Sequence, residues 1–483
     1  MSLEILTQTN EKWIDRKRSG VDLLNAIGHL MYDKNIELVL FRNPLIDESV
    51  PELLNLHEYA QDIVNKPIDI HITSQLAALL TKMDLAPSKI DIGRLSNEWM
   101  TEGENYPTQE AFLNDKLAKL IGRQASHDIK PKDVVLYGFG RIGRLCAREL
   151  IRMSGVGQQL RLRAIVLRTV NPTEVTKRAA LFRMDSVHGP FQGVVNEVPE
   201  KGQLIINGQV VQLIAANTPE EIDYTSYGID EALVIDNTGV YRDAEQLGRH
   251  LKAKGVSKAL LTAPGKDMPN IVYGLNHADY DLDKTDLWSA ASCTTNAISP
   301  VLAVIDKEFG VEKGHIETVH AYTNDQNLLD NYHKKERRGR SAAINMVITE
   351  TGAGKAVTKV MPHFENRLTA NAVRVPTPNG SLAIMHLSLN KKVDRDAVNA
   401  VLKKAALEGD LVNQIKYSLE PELVSNDIIG NSCCAVFDSP ATIVSNDGMN
   451  CVVYVWYDNE FGYTKQVLRL AKYLSKVRRL IYY

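Results

Sequence analysis

At 483 residues, with 44% hydrophobic and 24% charged positions, the chain has globular composition and the length of two to four ordinary domains. A net charge of −3, from 56 Lys and Arg against 59 Asp and Glu, removes the generic electrostatic footprint of a nucleic-acid binder and makes small-molecule chemistry the expectation. Five cysteines (Cys146, Cys293, Cys433, Cys434, Cys451), odd in number and without a CxxC pair, argue against a disulfide framework or a structural zinc, so reduced thiols and no metal are expected.

No apolar run reaches the roughly 18 residues that span a bilayer, and MSLEILTQTNEKWIDRKR lacks the order of a signal peptide, which predicts a soluble, cytoplasmic chain with no membrane partner. Residues 1–128 read as helical. In VDLLNAIGHLM, Leu23, Leu24, Ile27, Leu30 and Met31 fall on one face at the 3.6-residue period; Ser49-Val50-Pro51-Glu52 resembles a capping box, and Leu113, Leu117, Leu120 and Ile121 form a further stripe. This region carries no ligand motif and reads as dispensable for the chemical step. From Pro131, apolar β-branched runs (VVLYGFG, RLRAIVLR, EALVIDNTG, KALLTAPG) alternate with helical segments, as in a parallel sheet with crossover helices. After Ile316 the strands lengthen and alternate more openly (NAVRVPTPNGSLAIMHLSLNK, MNCVVYVWYD), which predicts a second domain with a mixed or antiparallel sheet.

Gly138-Phe139-Gly140-Arg141-Ile142-Gly143 follows the strand VVLY and opens the helix RLCARELIRM. In that setting a GxGxxG run is a dinucleotide fingerprint: the glycines allow a tight turn and close backbone approach, and the helix N-terminus offers N–H groups to a pyrophosphate. The acid expected at the end of the second strand is missing. Arg168 and Thr169 stand there instead, and an arginine accepts a ribose 2′-phosphate, so NADP is expected at least as readily as NAD. In ASCTTN, Cys293 is followed by an apolar-periodic run and would sit at a helix N-terminus, where a partial positive charge lowers a thiol pKa. His320 in ETVHAYTNDQN, between an apolar run and polar loop residues, is a candidate base for it. Together with the dinucleotide turn, the pair points to an aldehyde dehydrogenase working through a thioester.

At these residues the sequence resembles phosphorylating glyceraldehyde-3-phosphate dehydrogenase over about 132–483, through GFGRIGR, DSVHG, NTGVY, GLNH, ASCTTN, TVHAYTNDQ, ERRGR, TGAGKAV, RVPTPN and WYDNEFGY in the family's order. The resemblance implies a Rossmann-type α/β cofactor domain at 129–292, completed by 456–483, and an α+β catalytic domain at 293–455, beside the extra N-terminal helical region 1–128. It implies that Cys293 attacks the aldehyde of glyceraldehyde 3-phosphate with His320 as base, that the Cys293 N–H helps stabilise the oxyanion, and that inorganic phosphate opens the thioester. Cofactor contacts implied are Gly138, Gly140, Arg141, Ile142, Gly143, Thr238, Gly239, Thr262, Asn324, Asn459 and Tyr463, with Arg168 and Thr169 at the ribose. The substrate phosphate falls to Thr323, Asp325 and Arg374, and the attacking phosphate to Ser292, Thr294, Arg338, Thr351 and Gly352. A homotetramer is also implied. Besides the missing ribose-contact acid, two positions depart from the family pattern: Ala297 stands where a second cysteine is common, and the usual STG reads Asn237-Thr238-Gly239. Two rival expectations are an erythrose-4-phosphate dehydrogenase, whose thioester is hydrolysed, and a non-catalytic binding or regulatory protein on the same fold.

Overall fold

The computed structural model describes residues 3–122, 129–349 and 352–483 and divides into two compact units. Met1–Pro131, Ser154–Gln159 and Lys476–Tyr483 make the first; Lys132–Met153 and Leu160–Ser475 make the second.

In the first unit, α1 (Leu3–Lys34), α2 (Val50–Asp62), α3 (Ile70–Leu80), α4 (Ile92–Glu102) and α5 (Gln109–Lys116) surround a core that takes in Leu23, Ile27, Leu30 and Met31 from α1. The helices start where side chains satisfy their free N–H groups. Ser49 and Glu52 close the expected capping box on α2, and Asp69, Asp91 and Thr108 cap α3, α4 and α5. The last apolar stripe predicts one helix through Ile121, but α5 ends at Lys116. Leu117 and Leu120 reach the core from turns, because burial needs only their direction and not helical backbone. Between the helices the unit also holds a small sheet: β1 (Glu37–Leu40), β2 (Asn43–Pro44) and β3 (Ser88–Asp91) pair in the order β2-β1-β3, and residues Leu480–Tyr482 add a fourth strand parallel to β3.

The second unit opens with β4 (Lys132–Tyr137), α6 (Arg141–Arg152), β5 (Leu160–Leu167) and α7 (Pro172–Arg183), a βαβ unit with buried, apolar strands. A two-residue ladder, β6 (Met184–Asp185) with β7 (Gly189–Pro190), leads to β8 (Val195–Val198), β9 (Gln203–Ile206), β10 (Gln209–Ala215), β11 (Ala232–Asp236), β12 (Val256–Leu261) and β13 (Leu287–Ser289). The eight-stranded order is β13-β12-β11-β4-β5-β10-β9-β8, parallel from β13 to β10 with an antiparallel edge. The strand order reverses beside β4, so the turn after β4 opens at the switch point where such sheets bind ligands.

The chain then enters α9 (Cys293–Phe309), after the short α8 (Ala244–Leu247), and builds a second sheet from β14 (Val311–Ala321), β15 (Val347–Thr349), β16 (Leu368–Val375), β17 (Ser381–Leu389), β18 (Ile415–Ser418), β19 (Ala435–Asp438) and β21 (Asn450–Tyr457), with β20 (Ile443–Val444) beside β21. Its order, β15-β16-β14-β17-β21-β19-β18, is mixed: β14 runs parallel to β16 and antiparallel to β17. Ile298, Val301, Leu302 and Ile305 of α9 join Met385, Phe437, Val453 and Val455 in one core with α10 (Ala353–Val360) and α11 (Arg395–Leu407). After α12 (Phe461–Leu474) the chain ends in β22, the strand Leu480–Tyr482 of the first unit.

Candidate active site

The first turn of α9 is set by Ser292, whose extended backbone and Oγ cap the helix by accepting the Thr295 N–H at 3.0 Å. Cys293 is therefore the first helical residue. Ala291 before it holds φ +54°, a left-handed backbone that costs a non-glycine residue about 1 kcal/mol or more, and the Tyr463 hydroxyl donates to its carbonyl at 2.8 Å.

β14 and β16 pair in a register that sets His320 directly beside Arg374. Nε2 of His320 lies 3.6 Å from Cys293 Sγ, and Nδ1 lies 2.7 Å from the Ala321 carbonyl. With the Nδ1 proton on that carbonyl the Nε2 lone pair faces the thiol, whereas with the Nδ1 lone pair turned to the guanidinium of Arg374 the proton sits on Nε2. Arg374 Nη1 donates to the same carbonyl at 2.8 Å and sits 2.5 Å from Nδ1. Burial first and the Arg374 charge second hold His320 down to about 3 from its ordinary 6.5, so it is a neutral imidazole at neutral pH.

The helix N-terminus predicts a lowered thiol pKa for Cys293. Burial reverses that direction and pushes the thiol up, while the Arg374 charge, the Thr294 hydroxyl and the amides of Thr294 and Cys293 pull against it. Taking a thiolate out of water costs more than one partial dipole returns.

A second cluster lies in the loop after β14. Arg338, nearly buried, pairs with Asp325 and donates from Nε to Thr349 Oγ1 at 3.2 Å; the Thr323 hydroxyl donates to Asp325 as well. Arg338 also acts on Arg374, whose pKa is lowered by burial and then by this like charge. Two guanidinium groups near one carboxylate favour an anion, and the buried Nε of Arg374 has no hydrogen-bond partner among the described residues. Thr294 shares a hydrogen bond of 3.1 Å with the Tyr457 hydroxyl, and Gly352 is exposed; Thr351 lies outside the described residues.

At the dinucleotide turn, Gly138 has φ +94°, open to glycine alone without strain. A Cβ on Gly143 would stand 2.4 Å from the Gly138 carbonyl oxygen, whereas one on Gly140 would meet nothing within 4 Å. The third glycine is thus required by packing and the second leaves the open space that a pyrophosphate needs over the N-terminus of α6. These residues fit a bound dinucleotide. Arg141 is drawn into ion pairs with Glu460 and Asp185. Thr238, its amide and hydroxyl both donating to Asp236, sits against Gly138, and the Thr262 hydroxyl donates to the Asp236 carbonyl. Arg168 and Thr169 are exposed just after β5, and Asn324 is exposed after β14. Ile142 opens α6 beside Gly143.

Three positioning groups escaped the sequence reading. Ser381 takes the Ala321 N–H and donates to Asn459 Oδ1 at 2.8 Å, which fixes the amide of Asn459 with its NH₂ turned away from Ser381. Tyr457 packs edge-on to the His320 ring. Glu460 accepts from Arg141 and lies 3.0 Å from His188 Nε2, joining DSVHG, GFGRIGR and WYDNEFGY, which sequence order alone leaves apart. No helix among the described residues is long and apolar enough to cross a membrane.

A switch-point glycine turn beside a domain that presents a thiol to a neutral imidazole defines a dinucleotide-binding oxidoreductase of two-domain type. Comparison with known proteins gives the particular family. The profile of the glyceraldehyde 3-phosphate dehydrogenase NAD-binding domain matches residues 132–244, and that of its C-terminal domain matches 292–459. A glyceraldehyde-3-phosphate dehydrogenase-like protein of Pseudomonas aeruginosa (strain UCBPP-PA14) is 45% identical over 458 residues, covering 94% of this chain and 98% of its own, so that likeness reaches into the residues before 132. The glyceraldehyde-3-phosphate dehydrogenase of Clostridium pasteurianum is 39% identical over 351 residues (72% of this chain, 99% of its own), and glyceraldehyde-3-phosphate dehydrogenase 1 of Bacillus subtilis (strain 168) is 39% identical over 344 (71% and 98%). The chain belongs to the glyceraldehyde-3-phosphate dehydrogenase family.

Proposed function

We propose that the protein oxidises glyceraldehyde 3-phosphate with NAD(P)⁺ and inorganic phosphate to 1,3-bisphosphoglycerate, through a thioester on Cys293. The observation that carries this reading is the 3.6 Å approach of Cys293 Sγ to Nε2 of a neutral His320, beside the part-buried Arg374, whose Nε is buried without a partner among the described residues.

In the tautomer whose Nδ1–H is held by Ala321, His320 takes the thiol proton at Nε2 and the sulfur attacks the aldehyde carbon. The Cys293 amide at the start of α9 faces the developing oxyanion. The Arg374 charge that lowers His320 is offset when a substrate phosphate dianion seats on it, so the base strengthens as substrate binds. A bound nicotinamide supplies the hydride acceptor. Asn459, oriented by Ser381, and Tyr463 hold its side of the site. Thr323, Asp325 and Arg374 take the substrate phosphate; Ser292, Thr294, Arg338, Thr351 and Gly352 surround the phosphate that opens the thioester. Residues 129–292 serve as cofactor domain and 293–455 as catalytic domain.

Arg168, exposed and without a partner among the described residues, supports NADP as cofactor at least equal to NAD. Exposed Leu328, Leu329, Tyr332, Ile344 and Met346 in the loop segment after β14 support a homotetramer, since so many large apolar side chains in one stretch need a cover. Five unpaired cysteines support a cytoplasmic setting.

Intact-mass analysis tests the thioester. With aldehyde and oxidised cofactor but no phosphate, the protein should gain one 3-phosphoglyceroyl group at Cys293, released on adding phosphate. Turnover without any adduct, or an adduct that phosphate leaves in place, would refute the scheme.

A further inference from the structure

The loop that carries Asn459 is tied to the dinucleotide turn by one guanidinium. Arg141, the first residue of α6, donates from Nε and Nη2 to the two carboxylate oxygens of Glu460, at 2.6 Å from Nη2, and from Nη1 and Nη2 to Asp185 at 3.3 and 3.2 Å. Every nitrogen of the fork thus has an acceptor before any ligand arrives, and a bidentate pair of this kind fixes direction as well as adding energy. Both acceptors are buried and are themselves held. Asp185 takes the amides of Val187 and His188, each at 3.0 Å, and Glu460 lies 3.0 Å from His188 Nε2.

The tie continues down two helices. Arg141 meets Glu460, the buried Glu149 meets the buried Lys465, and Met153 Sδ accepts from Lys472 Nζ at 3.7 Å, so the partners advance together and α6 and α12 lie side by side in the same direction. Their N-termini are finished differently. Asp458 Oδ1 accepts the amides of Glu460 (2.9 Å) and Phe461 (2.8 Å) at the start of α12, while no side chain caps α6 at Gly140. The first helix end is open to a pyrophosphate and the second is closed. Asn459 stands between the two anchored acids, with Ser381 on its amide.

Resting on the cofactor placement given above, we propose that Glu460 is a positioning residue that couples the two ends of the dinucleotide, and that the Arg141 side chain is its strut and not a ligand of the pyrophosphate. The backbone amides at the open end of α6 take the phosphates. The Arg141–Glu460 pair carries that seating across to the loop that presents Asn459. The family resemblance implies a cofactor contact at Arg141; the ion pairs give its guanidinium this other task.

The probes are NADH and ADP-ribose, which shares the pyrophosphate but lacks the nicotinamide, titrated against the wild type, Glu460→Gln, Arg141→Met and the double variant, beside thermal unfolding. Each single variant should weaken NADH about tenfold or more and ADP-ribose less than about threefold, and the double variant should stay within about twofold of either, as for residues that act as one unit. Unchanged NADH affinity, or equal weakening of both probes, would overturn the proposal, the latter marking a phosphate ligand or a purely structural pair. Multiplied losses in the double variant would overturn it too, since they show independent contacts. Should the variants unfold, amide exchange in the wild type decides: ADP-ribose alone should slow the amides of 461–464, and slowing confined to 138–144 would refute the coupling. A wild type that binds neither probe would refute the cofactor placement itself, and this proposal with it.

Discussion

Replacing Gly143 with alanine isolates the part of the site whose geometry is most constrained. The added Cβ would stand 2.4 Å from the Gly138 carbonyl oxygen and 3.3 Å from its carbon. Relaxed contacts between such atoms lie near 3.5 Å, so turn and helix must part by about 1 Å. Backbone cannot swing aside as a side chain does, and overpacking of this kind costs about 1–3 kcal/mol, against about 1 kcal/mol gained from alanine in a helix. The displaced atoms are the turn and the first residues of α6, the proposed seat of the cofactor's pyrophosphate. The loss therefore falls mainly on cofactor binding, which should weaken about 10- to 100-fold at about 1.4 kcal/mol per factor of ten. Gly140→Ala is the contrast, because its Cβ meets nothing in the protein: the melting temperature should hold while cofactor binding falls. Fluorescence titration with NADH and NADPH beside thermal unfolding reads both. An unchanged cofactor Kd in Gly143→Ala would refute the packing argument, and an unchanged Kd in Gly140→Ala would show that the open space is not the cofactor's.

Cys293→Ser should abolish nearly all aldehyde oxidation and leave cofactor binding nearly unchanged, since an unactivated hydroxyl is a far poorer nucleophile; steady-state rates and NADH titration separate the two effects. Arg168→Ala should lower kcat/KM with NADP about tenfold while sparing NAD, and no change with either cofactor would remove Arg168 from the ribose site. His320, lowered from 6.5 to about 3 in the fold, leaves the unfolded chain binding one more proton between those values. Stability of the second unit should thus rise with pH across that window and be lost as pH falls through it, and His320→Gln should flatten this part of the unfolding profile; an unaltered slope would place the protonation elsewhere.

Much of the site was legible in the sequence because its parts are local. A glycine run between a strand and a helix, a serine before a helical thiol, and a histidine at the end of a strand each announce a backbone environment that neighbouring residues create, and α6, α9 and β14 begin or end accordingly. What was not legible depends on partners distant in the chain. The parallel strands of the first unit are only four and three residues long and come from near 38, 89 and 481, too short for a periodic signal and too far apart for a turn to reveal their pairing. Register across β14 and β16 brings Arg374 against His320, and no motif predicts that contact. The direction of the Cys293 pKa follows from burial, a tertiary quantity, and so overruled the helix-terminus argument made from local order. Ser381 and Glu460 reach the candidate site through hydrogen bonds to Asn459 and Arg141, partners distant enough in the chain to be visible only in the fold.

The most direct test of the thioester account is the initial rate of NADPH or NADH formation from glyceraldehyde 3-phosphate as inorganic phosphate is varied, in the wild type and in Cys293→Ser. The account predicts a rate that climbs saturably with phosphate, falls to a small residue without it, and vanishes in the serine variant. Turnover independent of phosphate, or retained without the thiol, would contradict it.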